Sequence, residues 1–162
     1  MGKTFHMTLS IQYIAGLFDG EGHVSITFTT RDYRGKVYRY HRLELGITNS
    51  CLDVLQQVER TFRKGRISGR IRPHLGGEFT RQKIWEYKAG SKQACEILKI
   101  LLPFLVIKRE QAKIGIAFQH RIGHFNGSHR IRRSETVKRE KLRLRMQKVN
   151  RASWNRITTV YR

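Results

Sequence analysis

Apolar residues recur at helical spacing from Ser10 onward. Ile11, Ile14, Leu17 and Phe18 share one face of a short helix that Ser10 is placed to cap and Gly20 to end. From His23 to Thr30 the period drops to two. Val24, Ile26 and Phe28 point one way, and His23, Ser25, Thr27 and Thr29 point the other. Asp32-Tyr33-Arg34-Gly35 reads as a turn. A second strand from about Val37 to Thr48 sets Leu43, Leu45 and Ile47 on one face, opposite Tyr38, Tyr40, Arg42 and Glu44. The pair is a hairpin with one buried and one polar side.

The pattern then repeats. Ser50 is expected to cap a helix carrying Leu52, Leu55, Val58 and Phe62, with Asp53 completing a near capping box. Gly65 leads into a second strand pair. In it Arg66, Ser68, Arg70 and Arg72 alternate with Ile67 and Ile71, and after Leu75-Gly76-Gly77 the return strand carries Trp85 and Tyr87. A helix from about Ser91 runs through Ile97, Leu98, Leu101 and Leu102 to Pro103, which must break it. Another spans about Ile107 to Arg121, and a densely basic helical tail follows from Ser134 to Asn150. The order predicts an α+β fold, α-β-β-α-β-β-α, with a four-stranded antiparallel sheet. Residues 1–125 form its core, and residues 126–162 a basic helical extension packed on or trailing it. Helices must cover the apolar side of each hairpin. The other side stays bare, and Arg42, Arg66, Arg70, Arg72, Gln82 and Lys88 fall there.

Charge sharpens this picture. The 33 Lys and Arg against 12 Asp and Glu leave a net charge of +21, and the sequence pI is near 11.0. Neutralising phosphates releases condensed counterions, so such a surface binds nucleic acid. No apolar run approaches the roughly 18 residues of a membrane span. Cys51 and Cys95 provide neither a disulfide framework nor a zinc set and read as reduced thiols of an intracellular protein. His120, His124, Asn126 and His129 cluster without a nearby acid or thiol, so they are expected to be solvated or to touch phosphate.

The chemistry concentrates where the first helix ends. Ala15 and Gly16 remove bulk, and Gly16 and Gly20 share a face, so two such helices can approach backbone to backbone. Free carbonyls at the helix end carry partial negative charge, and Glu21 adds the hard oxygen that Mg²⁺ prefers. Taken alone, Asp19-Gly20-Glu21-Gly22 would be a solvated helix end.

The whole stretch Ile14-Ala15-Gly16-Leu17-Phe18-Asp19-Gly20-Glu21-Gly22 resembles the motif of the LAGLIDADG homing endonucleases, identical at five of nine positions. Ile47-Thr48-Asn49-Ser50 and Leu102-Pro103-Phe104-Leu105-Val106-Ile107-Lys108 are similar to further segments of that family, over about residues 8–120. The resemblance implies a site-specific double-strand DNA endonuclease. Glu21 and the Gly20 carbonyl would hold Mg²⁺ or Mn²⁺, Lys108 would sit near the scissile phosphate, and Asn49 would help hold the attacking water. Where some relatives carry a basic residue, this chain has Asp53. The motif occurs once, so two acids require a homodimer, clasped through Ala15, Gly16, Asp19 and Gly20, on a pseudo-palindromic site. Thr27, Thr29, Arg31, Tyr40, Arg42, Glu44, Arg66, Ser68, Arg70, Arg72 and Gln82 are the candidates for DNA contact. In the tail, Lys138, Arg139, Lys141, Arg143, Arg145 and Lys148 would touch phosphates or keep it soluble. An intron-encoded protein of an organelle or prokaryotic cytoplasm is expected. The alternatives are an RNA-binding intron maturase on the same fold, with intron RNA as partner, or a non-enzymatic basic nucleic-acid-binding protein.

Overall fold

The alternation along residues 23–48 folds as one long hairpin. β1 (Gly22–Tyr33) pairs antiparallel with β2 (Lys36–Asn49), in register from Gly22 opposite Ile47 to Tyr33 opposite Lys36. Arg34 and Gly35 turn the chain with φ of 54° and 73°, the positive angles that a two-residue hairpin turn demands. The Gly35 N–H donates to Asp32 Oδ1 at 3.0 Å and fixes the turn.

The computed structural model describes residues 8–72, 82–123 and 133–159. Before the hairpin lies α1 (Ile11–Glu21), capped by Ser10, whose Oγ accepts from Tyr13 N–H at 3.2 Å. After it come α2 (Leu52–Phe62), β3 (Arg66–Arg72), β4 (Gln82–Gly90), α3 (Ser91–Leu101), α4 (Arg109–Gly123) and α5 (Arg133–Thr159). The sheet order is β1-β2-β4-β3, all antiparallel. The expected α+β architecture is therefore observed. The Leu75-Gly76-Gly77 connection lies outside the described residues. None of the described helices is long and apolar enough to cross a membrane.

All the helices gather on one side of the sheet. Val24 and Ile26 of β1, Leu43, Leu45 and Ile47 of β2, and Tyr87 and Ala89 of β4 point toward them and are buried. Ile14, Phe18, Leu55, Leu98, Leu101, Ala112 and Phe118 meet them from the helices. Burying such side chains contributes about 1.5–3 kcal/mol each. Phe28 keeps the expected parity but is 46% exposed, and its ring meets His41 edge-on at 5.0 Å.

Several helix boundaries differ from the sequence reading: α4 lies two residues later, α5 extends to Thr159, and two further differences bear on the site. α1 continues through Gly20 to Glu21, and Gly22 is its cap, with its N–H donating to Phe18 O. Only glycine fits there: a Cβ on Gly22 would lie 2.4 Å from the Phe18 ring and 2.5 Å from its carbonyl oxygen. α2 starts one residue later than a Ser50 cap would give. Cys51 holds the cap position, and Asn49 Oδ1 accepts the Cys51 N–H at 2.8 Å. An Asx turn has taken the role expected of the serine.

The basic tail is a structural member of the fold. Met146 of α5 is 1% exposed within the core, and Leu142 and Val149 pack against it. Asn150 Nδ2 donates to Val24 O at 3.0 Å, satisfying a carbonyl of the edge strand β1. His41, on the apolar parity of β2, meets Glu140 Oε2 at 2.8 Å.

Candidate nuclease site

The end of α1 assigns different tasks to its two acids. Asp19 turns inward and is 8% exposed. Its Oδ2 accepts N–H donations from Val106 (2.7 Å) and Ile107 (3.2 Å), and its Oδ1 accepts from Lys108 N–H at 2.8 Å. Amides before a helix start lack intrahelical partners and bear partial positive charge, so a carboxylate there is favoured. Asp19 thus caps α4 from across the chain. Its carboxylate is committed within its own fold. Ala15 is 0% exposed and packs in the core of its own chain.

Glu21 is exposed at the last turn of α1. The Lys108 ammonium donates to the Asp19 carbonyl oxygen, which docks it on that same turn. Burial pushes the Lys108 pKa down, and the negative charges of Asp19 and Glu21 oppose that shift. The fold therefore brings together the Glu21 and Lys108 expected from sequence, though they are far apart in the chain. Asn49 ends β2 near the start of β1, with its carboxamide oxygen occupied by Cys51 N–H. Its amide nitrogen and the second lone pair of that oxygen remain for another role. Asp53 lies in the first turn of α2, where an acid complements the helix dipole.

A single chain supplies few metal donors. No group of three or more His, Cys, Asp or Glu among the described residues could hold a metal ion. The donor chemistry nonetheless suits a hard cation: one solvent-facing carboxylate, the terminal carbonyls of α1, and space for water.

The outer face of α1 is bare. Gly16 and Gly20 are exposed, and a Cβ at either would meet nothing within 4 Å. Glycine inside a helix costs about 1 kcal/mol against alanine, and no contact with the described residues explains these two. Tyr13 is 52% exposed on the same side, and the neighbouring turn leaves Val106 82% and Ile107 56% exposed.

The open face of the sheet carries the expected contact residues. Cross-strand register sets Thr27 opposite Arg42, Thr29 opposite Tyr40, Ser25 opposite Glu44, Arg66 opposite Lys88 and Ser68 opposite Glu86. Arg31, Arg70, Arg72 and Gln82 fall at the same parity of their strands. Arg42, Arg66, Ser68 and Lys88 are exposed. The contact candidates named from the sequence left out His23, Thr48 and Glu86 of this face. Their signal was present, because each shares the parity of the arginines. Glu86 is 7% exposed and pairs with Lys88 at 3.1 Å.

The tail cations divide into two groups. Arg139 is buried with its Nε 3.1 Å from Glu135 Oε1, Arg143 holds Glu140, and Arg145 reaches Glu110 at 2.6 Å. The buried Arg139 departs from the phosphate-contacting or solubilising role expected of it, while Arg143 pairs within α5 and Arg145 links α5 to α4. Lys138, Lys141 and Lys148 are exposed. His120 is exposed at the end of α4, while His124, Asn126 and His129 lie outside the described residues.

No family model and no curated protein sequence matches the chain. Solved structures do. The homing endonuclease I-CvuI, in complex with a DNA target in the presence of Mg, superimposes with TM-score 0.65 at 19% identity, over 86% of this chain and 80% of that one. An archaeal intron-encoded homing endonuclease complexed with DNA gives TM-score 0.63 at 19% identity, over 86% and 82%. I-TnaI, also a homing endonuclease, gives 0.60 at 17% identity, over 93% and 99%. The chain has the fold of the LAGLIDADG homing endonucleases.

Proposed function

We propose that this protein is a site-specific DNA endonuclease acting as a homodimer with a divalent metal. The observation that carries this reading is the last turn of α1, where an exposed Glu21 and a docked Lys108 meet beside a cationic, uncovered sheet. The same fold in I-CvuI is seen with target DNA and with Mg or Ca.

Each part then has a task. The open face of the sheet enters the major groove, with cations offsetting phosphate charge and polar side chains meeting base edges. Glu21 and the Gly20 carbonyl hold the metal at the seam between subunits. When bound, the metal polarises the phosphodiester and lowers the pKa of water. Lys108 offsets negative charge developing on the phosphate, aided by an ammonium that burial has partly desolvated. Asp19 fixes the position of Lys108 by holding its backbone N–H. The bare glycine face of α1, with the exposed apolar Val106 and Ile107, fits a second copy of itself. Two-fold symmetry then supplies the second glutamate and a two-part target.

The test is cleavage of a duplex target selected from a random library. Glu21→Gln should retain DNA binding while strand cutting falls by about 10³-fold or more, and chelation of the metal should have the same effect on the parent protein. Undiminished cutting by the variant, or in excess chelator, would overturn the proposal.

A further inference from the structure

His23 stands on the open face two residues beyond Glu21 and is the first side chain that β1 offers to that face. Register sets it opposite Gly46, Gly46 opposite Lys88, and Lys88 opposite Arg66. One row therefore crosses all four strands at the end of the sheet nearest α1. β2 contributes no side chain to this row, and the imidazole fills the gap. A Cβ on Gly46 would lie 2.5 Å from His23 Cε1 and 3.2 Å from Nε2. The ring is thus seated against the neighbouring strand by contact.

Its nitrogens are unspent. His23 makes no hydrogen bond with the described residues, whereas Lys88 in the same row is tied to Glu86 at 3.1 Å. Half-buried polar groups that find no partner in the fold are met by water or by a ligand. This ring is held rigid on the floor of the face proposed to lie in a DNA groove, so a ligand there would be a nucleobase edge. An imidazole can donate from one nitrogen and, in its neutral form, accept at the other.

The geometry points to His23 as a specificity-determining residue that reads the base pair next to the scissile phosphate. This rests on the nuclease reading. Gly46 is its seat, and a side chain at Gly46 would displace the ring.

The test profiles cleavage of one randomised duplex library by the parent protein, His23→Ala, His23→Gln and Gly46→Ala, with melting temperatures alongside. At the position beside the cut, the parent should prefer one base by roughly 10-fold or more. His23→Ala and Gly46→Ala should bring that preference close to unity while outlying positions keep theirs. His23→Gln should move it toward adenine, which a carboxamide bonds through two atoms. Unchanged profiles in all three variants, or equal relaxation at every position with a lowered melting temperature, would overturn the inference alone. A parent protein that cuts nothing in the library would overturn the nuclease reading and this inference with it.

Discussion

The two faces of the sheet are made by alternate residues of the same strands, yet they meet opposite requirements. Toward the helices, Val24, Leu43, Leu45 and Ile47 are each 1% exposed or less, and the polar intruder His41 is given Glu140 as a partner. On the open side Arg42, Arg66, Ser68 and Lys88 face solvent, and His23 bonds to nothing in the described fold. Folding free energy comes from the first face because apolar area leaves water there. The proposed binding belongs to the second, whose cationic side chains remain in contact with solvent. Stability and recognition should therefore be separable by mutation.

Leu45→Ala attacks the closed face and should cost about 2–5 kcal/mol of stability. Chemical denaturation measures it; a loss within experimental error would mean the core collapses around the cavity. Gly16→Leu probes a third surface, the bare side of α1. The monomer has room for the side chain, so its melting temperature should hold or rise. Self-association should weaken by about 1–3 kcal/mol through overpacking, or roughly 5–150-fold. Sedimentation of the variant with parental affinity would remove α1 from the seam. Arg66→Ala belongs to the open face: stability should change by no more than about 0.5 kcal/mol, while the salt dependence of DNA binding loses about one unit of slope. An unaltered slope would place Arg66 away from phosphate.

The smallest effect concerns the clasp between α5 and β2. The Arg143 guanidinium and then His41 hold the Glu140 carboxyl at about 2, well below its usual value. A depressed acid adds stability above its unfolded pKa and loses it as pH falls through the folded one. The advantage of the parent over Glu140→Gln should thus be full near neutral pH, shrink below about pH 4.5 and vanish near pH 2. Solvent screening at this half-exposed pair limits it to about 1 kcal/mol or less. A difference that grows on acidification would contradict the assignment.

How much of this was legible depended on distance along the chain. The hairpin, the parity of its residues and the exposed Glu21 follow from local periodicity and a contiguous motif. The commitments of Asp19, Asn49 and the tail arginines do not. Asp19 meets an amide 89 positions away, His41 a carboxylate 99 away, and Asn150 a carbonyl 126 away. No local pattern encodes such pairings, although His41 on an apolar parity signalled that some partner was needed. Asn49 could be read as catalytic or as a turn former, and its hydrogen bond to Cys51 shows that its oxygen serves the turn.

By itself, the order of residues determined which positions alternate, the sequence of helices and strands, and that the chain carries an excess of 21 positive charges. Only the packed molecule decided what holds Asp19, whose carboxylate meets the backbone amides of Val106, Ile107 and Lys108. Residues two apart on a helix are turned about 200° from one another, so one acid had to face the chain's own interior and the other the solvent. Which was which depended on where the turn before α4 came to rest.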